Sequence, residues 1–132
     1  MAVEMVTDWW DGVRNTESVV AAPTWEMISE AIKALDGNVR TLVTIALEPL
    51  SHITIGGGGD NRLYVVQATQ DGERFHLATR DDDTPASNVT IKAGGQNGEF
   101  PARRCVALDT ALRAAQTFVE TRQLESAIKW EA

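Results

Sequence analysis

The stretch from residue 41 to residue 92 constrains the fold more than any other. Five short β-rich runs follow one another there, at 41–47, 52–55, 63–68, 74–79 and 88–92. Turn signals separate them: Glu48-Pro49, the glycine-rich 56–61, Gln70-Asp71-Gly72, and 81–85. A parallel pair needs a crossover of about a dozen residues or more, usually a helix. These connections are too short for that, so the runs are expected to pair antiparallel, as a meander. A further run over 100–108 is entered through Gly94-Gly95-Gln96 and carries Pro101. Proline lacks the N–H that a ladder needs, so an edge or a bulge is expected there.

Two helical patterns flank this region. After a first strand over 2–10 and a polar stretch over 11–18, Thr24 follows Pro23 as a plausible N-cap. Trp25, Ile28, Ile32 and Leu35 then fall on one stripe, and Gly37 stands where a glycine would stop the helix. The second pattern starts at Asp109, a candidate cap. Leu108, Ala111, Leu112, Ala115, Phe118 and Val119 form its apolar stripe. In the tail, Ile128 and Trp130 are expected to dock on the body, since an aromatic so near a terminus is seldom left in water. Adjacent Trp9 and Trp10 must point to opposite faces of a strand, so they cannot share one core. The expected result is a single α+β domain over residues 1–132, a sheet covered by two helices.

Composition narrows the function. The chain is 43% hydrophobic, enough for a packed core and too much for disorder. No apolar run approaches the ~20 residues that span a bilayer. The first ten residues carry Glu4 and Asp8 and no basic region, so no signal peptide and no membrane partner are expected. One cysteine, Cys105, cannot form an internal disulfide, and a cytoplasmic location is the default expectation. The net charge of -7 argues against direct binding to nucleic acid, whose phosphates demand a basic face. It suits a partner that is itself basic, drawn in by electrostatic steering.

No catalytic, cofactor or metal site emerges. His52 and His76 have no second histidine or cysteine at ligand spacing. Nothing marks Ser51 or Cys105 as a nucleophile, and Cys105 reads as a small buried hydrophobe. The run Gly56-Gly57-Gly58-Gly59 lacks the lysine and following helix of a phosphate loop, so a flexible turn or bulge is expected. Asp81, Asp82 and Asp83 lack the spacing of a calcium loop and read as a solvated acidic turn, or as a contact patch for a basic partner.

The C-terminal third resembles a known family. Gly94-Gly95-Gln96, then Phe100-Pro101-Ala102-Arg103, then Val106 to Leu112, then a closing Trp130-Glu131, is similar to the first-numbered Imm family of bacterial immunity proteins. Leu35-Asp36-Gly37 and the glycine-rich turn before Leu63-Tyr64-Val65-Val66 fit the same pattern. The resemblance spans nearly the whole chain. Its signature positions are Gly94, Gly95, Trp130 and Glu131. It implies an α+β fold with a curved antiparallel sheet of about six or seven strands and two main helices packed on it. It also implies a protein that is not an enzyme. Such a protein binds a cognate toxin domain, often a nucleic-acid-acting deaminase or a nuclease, and blocks its active site.

The candidate partner-binding residues are the acids in turns and loops: Asp60, Asp81, Asp82, Asp83 and Glu99. Two alternatives stand beside the inhibitor. One is a small enzyme or small-molecule binder with a pocket near His52 or His76 on the concave face of the sheet. The other is a homodimer joined through Trp9 or Trp10, where the inhibitor is expected to be a monomer.

Overall fold

The computed structural model describes residues 2–80 and 86–132. Among them, seven strands form one antiparallel sheet and two more form a separate hairpin. The chain opens with β1 (Glu4–Asp11) and β2 (Arg14–Ala21), joined by the two-residue turn Gly12-Val13. Gly12 has φ +64°, and glycine at the first central position suits the turn whose twist matches the strands. The expected polar connection over 11–18 is therefore the hairpin tip and most of a strand. Residues 14–18 offer no apolar alternation to reveal it, and only the ladder to β1 makes it β.

Next comes α1 (Trp25–Lys33), capped as expected: Thr24 Oγ1 accepts the Met27 N–H at 3.2 Å. Ile28 and Ile32 are buried on its stripe. The helix stops at Ala34, earlier than Gly37 suggested. The reason is Asp36, whose Oδ1 accepts the N–H groups of Asn38 (2.9 Å), Val39 (2.9 Å) and Arg40 (3.0 Å). Those bonds give the backbone an alternative to another helical turn. Burial works against the charged Asp36, but the three backbone donors outweigh it and hold the carboxyl below its usual range.

The expected meander is present as β3 (Leu42–Leu47), β4 (Ser51–Gly57), β5 (Tyr64–Thr69) and β6 (His76–Thr79). Register places Ile45 opposite Ile53 and Ile53 opposite Ala68, so these share one face with Val43, Ile55 and Val66. All of them are buried. The second long helix, α2 (Leu108–Thr121), joins the same core with Ala111, Ala115, Phe118 and Val119. Asp109 is not its cap. Ala107 holds that position without a side-chain bond, and Asp109 sits in the first turn, where a negative charge suits the helix dipole.

The C-terminal side departs further from expectation. The run at 88–92 does not join the meander. As β7 (Asn88–Ala93) it pairs with β8 (Gln96–Pro101) in a sheet of its own. Gly94 and Gly95 both have positive φ, +62° and +79°, which makes them a tight hairpin turn and not a kink ahead of a strand over 100–108. That strand ends at Pro101, residues 102–104 form a 3-10 turn, and Val106 keeps one bridge to Tyr64. The tail returns as β9 (Lys129–Glu131) beside β6, with Ile128 and Trp130 packed against the core. The final strand order is β2-β1-β3-β4-β5-β6-β9.

Candidate functional site

The glycine run is a close-packed turn, not a loose one. Gly56 and Gly57 belong to β4 and are buried. Gly57 (φ +113°) and Gly58 (φ +82°) take a conformation that favours glycine. A Cβ on Gly58 would lie 2.3 Å from the Leu35 carbonyl oxygen, and one on Gly57 would lie 2.4 Å from that of Leu63. Backbone approaches backbone here, so these amides are no cradle for a phosphate. The turn lifts Asp60 and Asn61 to the surface. Asn61 Nδ2 donates to the Thr90 carbonyl at 3.4 Å, and Thr90 Oγ1 donates to Glu99 Oε2 at 3.0 Å. Two of the candidate partner-binding acids, Asp60 and Glu99, thus lie on one flank although 39 positions separate them in sequence. A shallow groove of about 290 Å³ there is lined by Asp60, Asn61, Thr90, Lys92 and Asn97, so a cation stands among the acids.

Asp81, Asp82 and Asp83 lie outside the described residues. The residues that flank them are fixed to one turn. The Arg80 guanidinium donates to the Ala102 carbonyl at 3.0 and 3.1 Å, and the Ala102 N–H donates to the Ser87 carbonyl at 2.8 Å.

The four signature positions sit at two joints. Gly95 lies against Trp10, whose ring leaves no room for a side chain: a Cβ would sit 2.0 Å from it. The Gly95 N–H donates to Thr41 Oγ1 at 2.9 Å, and Thr41 Oγ1 donates to Asp8. Asp8 also accepts from Thr41 N–H (2.7 Å), Leu42 N–H (3.0 Å) and Trp10 Nε1 (2.7 Å). This buried carboxylate ties β1, β3 and the β7–β8 hairpin together. Sequence reasoning missed it. Its one local signal is an acid in the middle of a strand, just before Trp9-Trp10, where burial demands partners.

The second joint is at the tail. Trp130 Nε1 donates to the Glu125 carbonyl at 3.1 Å. Glu131 accepts from Arg104 Nε and forms a 3.1 Å ion pair with Arg103. The Arg104 bond, followed by that from Arg103, holds the Glu131 carboxyl below its usual range. The Pro-Ala-Arg motif and the Trp-Glu motif, far apart in sequence, therefore meet in space.

Catalytic geometry is not found at the candidate residues. His52 rests beside Phe75 with ring centroids 5.9 Å apart. Ser51 Oγ is buried and donates to the Gln70 carbonyl at 2.8 Å. Cys105 is buried, and burial pushes its thiol up, away from the reactive thiolate. Among the described residues no group of His, Cys, Asp or Glu could hold a metal ion. Two further surface grooves, of about 500 and 230 Å³, lie along α2 beside Arg113 and Asp109, and neither histidine lines them. No helix among the described residues is long and apolar enough to cross a membrane.

The polar networks described above are spent on joints within the fold itself. The family model for Immunity protein Imm1 matches residues 16–132, and the chain belongs to that immunity protein family. Membership supports an immunity function and implies binding to a cognate toxin protein. No curated protein and no solved structure matches the chain.

Proposed function

We propose that this chain, as a single immunity domain acting in the cytoplasm, neutralises a nucleic-acid-acting toxin domain, a deaminase or nuclease, by covering its active site. The family match over 16–132 carries the proposal. Charge supports the choice of toxin. An enzyme that binds nucleic acid has a basic groove, and a chain of net charge -7 competes there with phosphates. Steering by that charge also speeds association, which an antidote needs. The acidic loops, with Asp60 and Glu99 on one flank, contribute to that steering. The chain works as a monomer, without cofactor, and without binding nucleic acid or membrane itself.

The test is survival. The C-terminal domain of the protein encoded directly upstream is induced in bacterial cells with and without this chain. Rescue and co-purification of the pair are expected. A neighbour that is harmless, or that kills equally in the presence of this chain, ends the proposal.

A further inference from the structure

The seven-stranded sheet ends on one side at β2, and nothing among the described residues uses that edge. β2 pairs with β1 over an unbroken register, from Glu4 opposite Ala21 to Asp11 opposite Arg14, and has no second neighbour. Seven of its eight residues are exposed, and only Val20 is partly buried. Half of its backbone N–H and C=O groups therefore face away from the sheet, free to pair with another strand. Proteins ordinarily guard such an edge with lysine, proline, a bulge or a very short strand. β2 has no lysine, no proline and no break in register, it is eight residues long, and its charges are Arg14 beside the turn and Glu17.

Apolar exposure gathers at the same place. Of the seven exposed large hydrophobics among the described residues, Trp9, Val13 and Val19 are on this hairpin and Val3 leads into it. Val13, at the tip, is 97% exposed. The Arg40 guanidinium lies over the Trp9 ring, 4.3 Å from its centroid. Tryptophan and arginine are the side chains that most often anchor interfaces. Charge is concentrated here too. The hairpin, residues 4–21, contains four acids (Glu4, Asp8, Asp11, Glu17) and one base (Arg14), a net -3 out of the chain's -7, with Asp8 buried and the other acids toward the surface.

We propose that the free edge of β2 is where the cognate toxin docks, adding an extended basic segment to the sheet by backbone pairing. The proposal rests on the toxin-binding function above and names the surface that performs it. Backbone hydrogen bonds supply affinity, while Val19 and Glu17 on one face and Trp9 on the other select the segment. A basic side chain opposite Glu17 makes a favourable cross-strand pair.

Hydrogen exchange of the full chain, alone and with the purified upstream-encoded toxin domain, tests this. Binding constants are measured alongside for the wild type, Val19→Lys and Glu17→Pro, the latter at a residue whose N–H faces away from β1. Because β2 gives the core little beyond Val20, both variants are expected to fold, which circular dichroism checks. Amides of 14–21 are expected to gain protection in the complex, and both variants to bind at least about tenfold more weakly. If the complex forms with exchange at 14–21 unchanged and the variants bind like the wild type, the edge is not the site, and the immunity function stands. If no complex forms, both fall together. Protection at 14–21 that grows with the chain's own concentration, without toxin, gives the edge to a second copy and overturns the toxin as occupant.

Discussion

The two edges of the sheet are built in opposite ways. β9 is three residues long, yet each of its last two side chains is committed: Trp130 to the core and the Glu125 carbonyl, Glu131 to Arg103 and Arg104. β2 is eight residues long and commits almost nothing beyond its ladder to β1. Each ladder bond nets only about 0.5–1.5 kcal/mol, against about 1–2 kcal/mol to fix each residue's backbone. A strand held on those terms alone is marginal. The short edge is closed by packing and charge, and the long edge is left open to a partner.

The largest effect is expected at the closed edge. Trp130→Ala removes a packed aromatic and its bond to the Glu125 carbonyl, which keeps only the Ile128 N–H, and should lower the unfolding free energy by about 3 kcal/mol in urea titration. A loss below about 1 kcal/mol would show that the tail is not part of the cooperative unit.

Gly95→Ala comes next. It demands φ +79° of alanine and drives a Cβ into the Trp10 ring, so a loss of about 2 kcal/mol is expected. This tests whether the open side of the sheet is stiff at β1 and loose only at β2. A matching change in tryptophan fluorescence would locate the disturbance at Trp10.

Glu131→Gln keeps the shape of the side chain and removes its charge. The melting temperature should fall at low ionic strength and the difference should narrow in 1 M salt, since exposed charges are screened. Acid gives a second readout. The folded Glu131 is depressed below its unfolded value. Its contribution is thus fully present above the ordinary glutamate value of about 4.3 and is lost as pH falls through the folded value. Wild type and variant should converge on acidification, and a gap that stays constant would assign the effect to something other than charge.

The smallest effect on stability belongs to the open edge. Val19→Lys should change the unfolding free energy by no more than about 0.5 kcal/mol. A loss beyond about 1 kcal/mol would place β2 in the core and erase the contrast between the edges.

The parts that were legible in sequence share one property. The stripe Ile28-Ile32-Leu35, the stripe Ala111-Ala115-Phe118, the Thr24 cap and the alternation through Val43, Ile45 and Leu47 are all patterns within a few residues, set by the period of helix or strand. The resemblance in Gly94-Gly95 and Trp130-Glu131 was also visible, and the family model agrees with it. β2 was not legible, because residues 14–18 carry no apolar pattern for either face. Nor was the purpose of the signature. Gly95 is small because Trp10, 85 residues earlier in sequence, occupies its side-chain space.

By itself, then, the sequence determined the two helices, the antiparallel middle of the sheet, the acidic balance and the family pattern. Local periodicity and composition encode these without reference to distant residues. Only the tertiary structure decided that β7 leaves the meander for a hairpin of its own and that Asp8 is buried under donors 33 and 34 positions away. It also decided that the Trp-Glu tail closes one edge while β2 leaves the other open. Which buried group finds which partner depends on how the elements dock, and docking is settled by shape and hydrogen-bond satisfaction across the whole core.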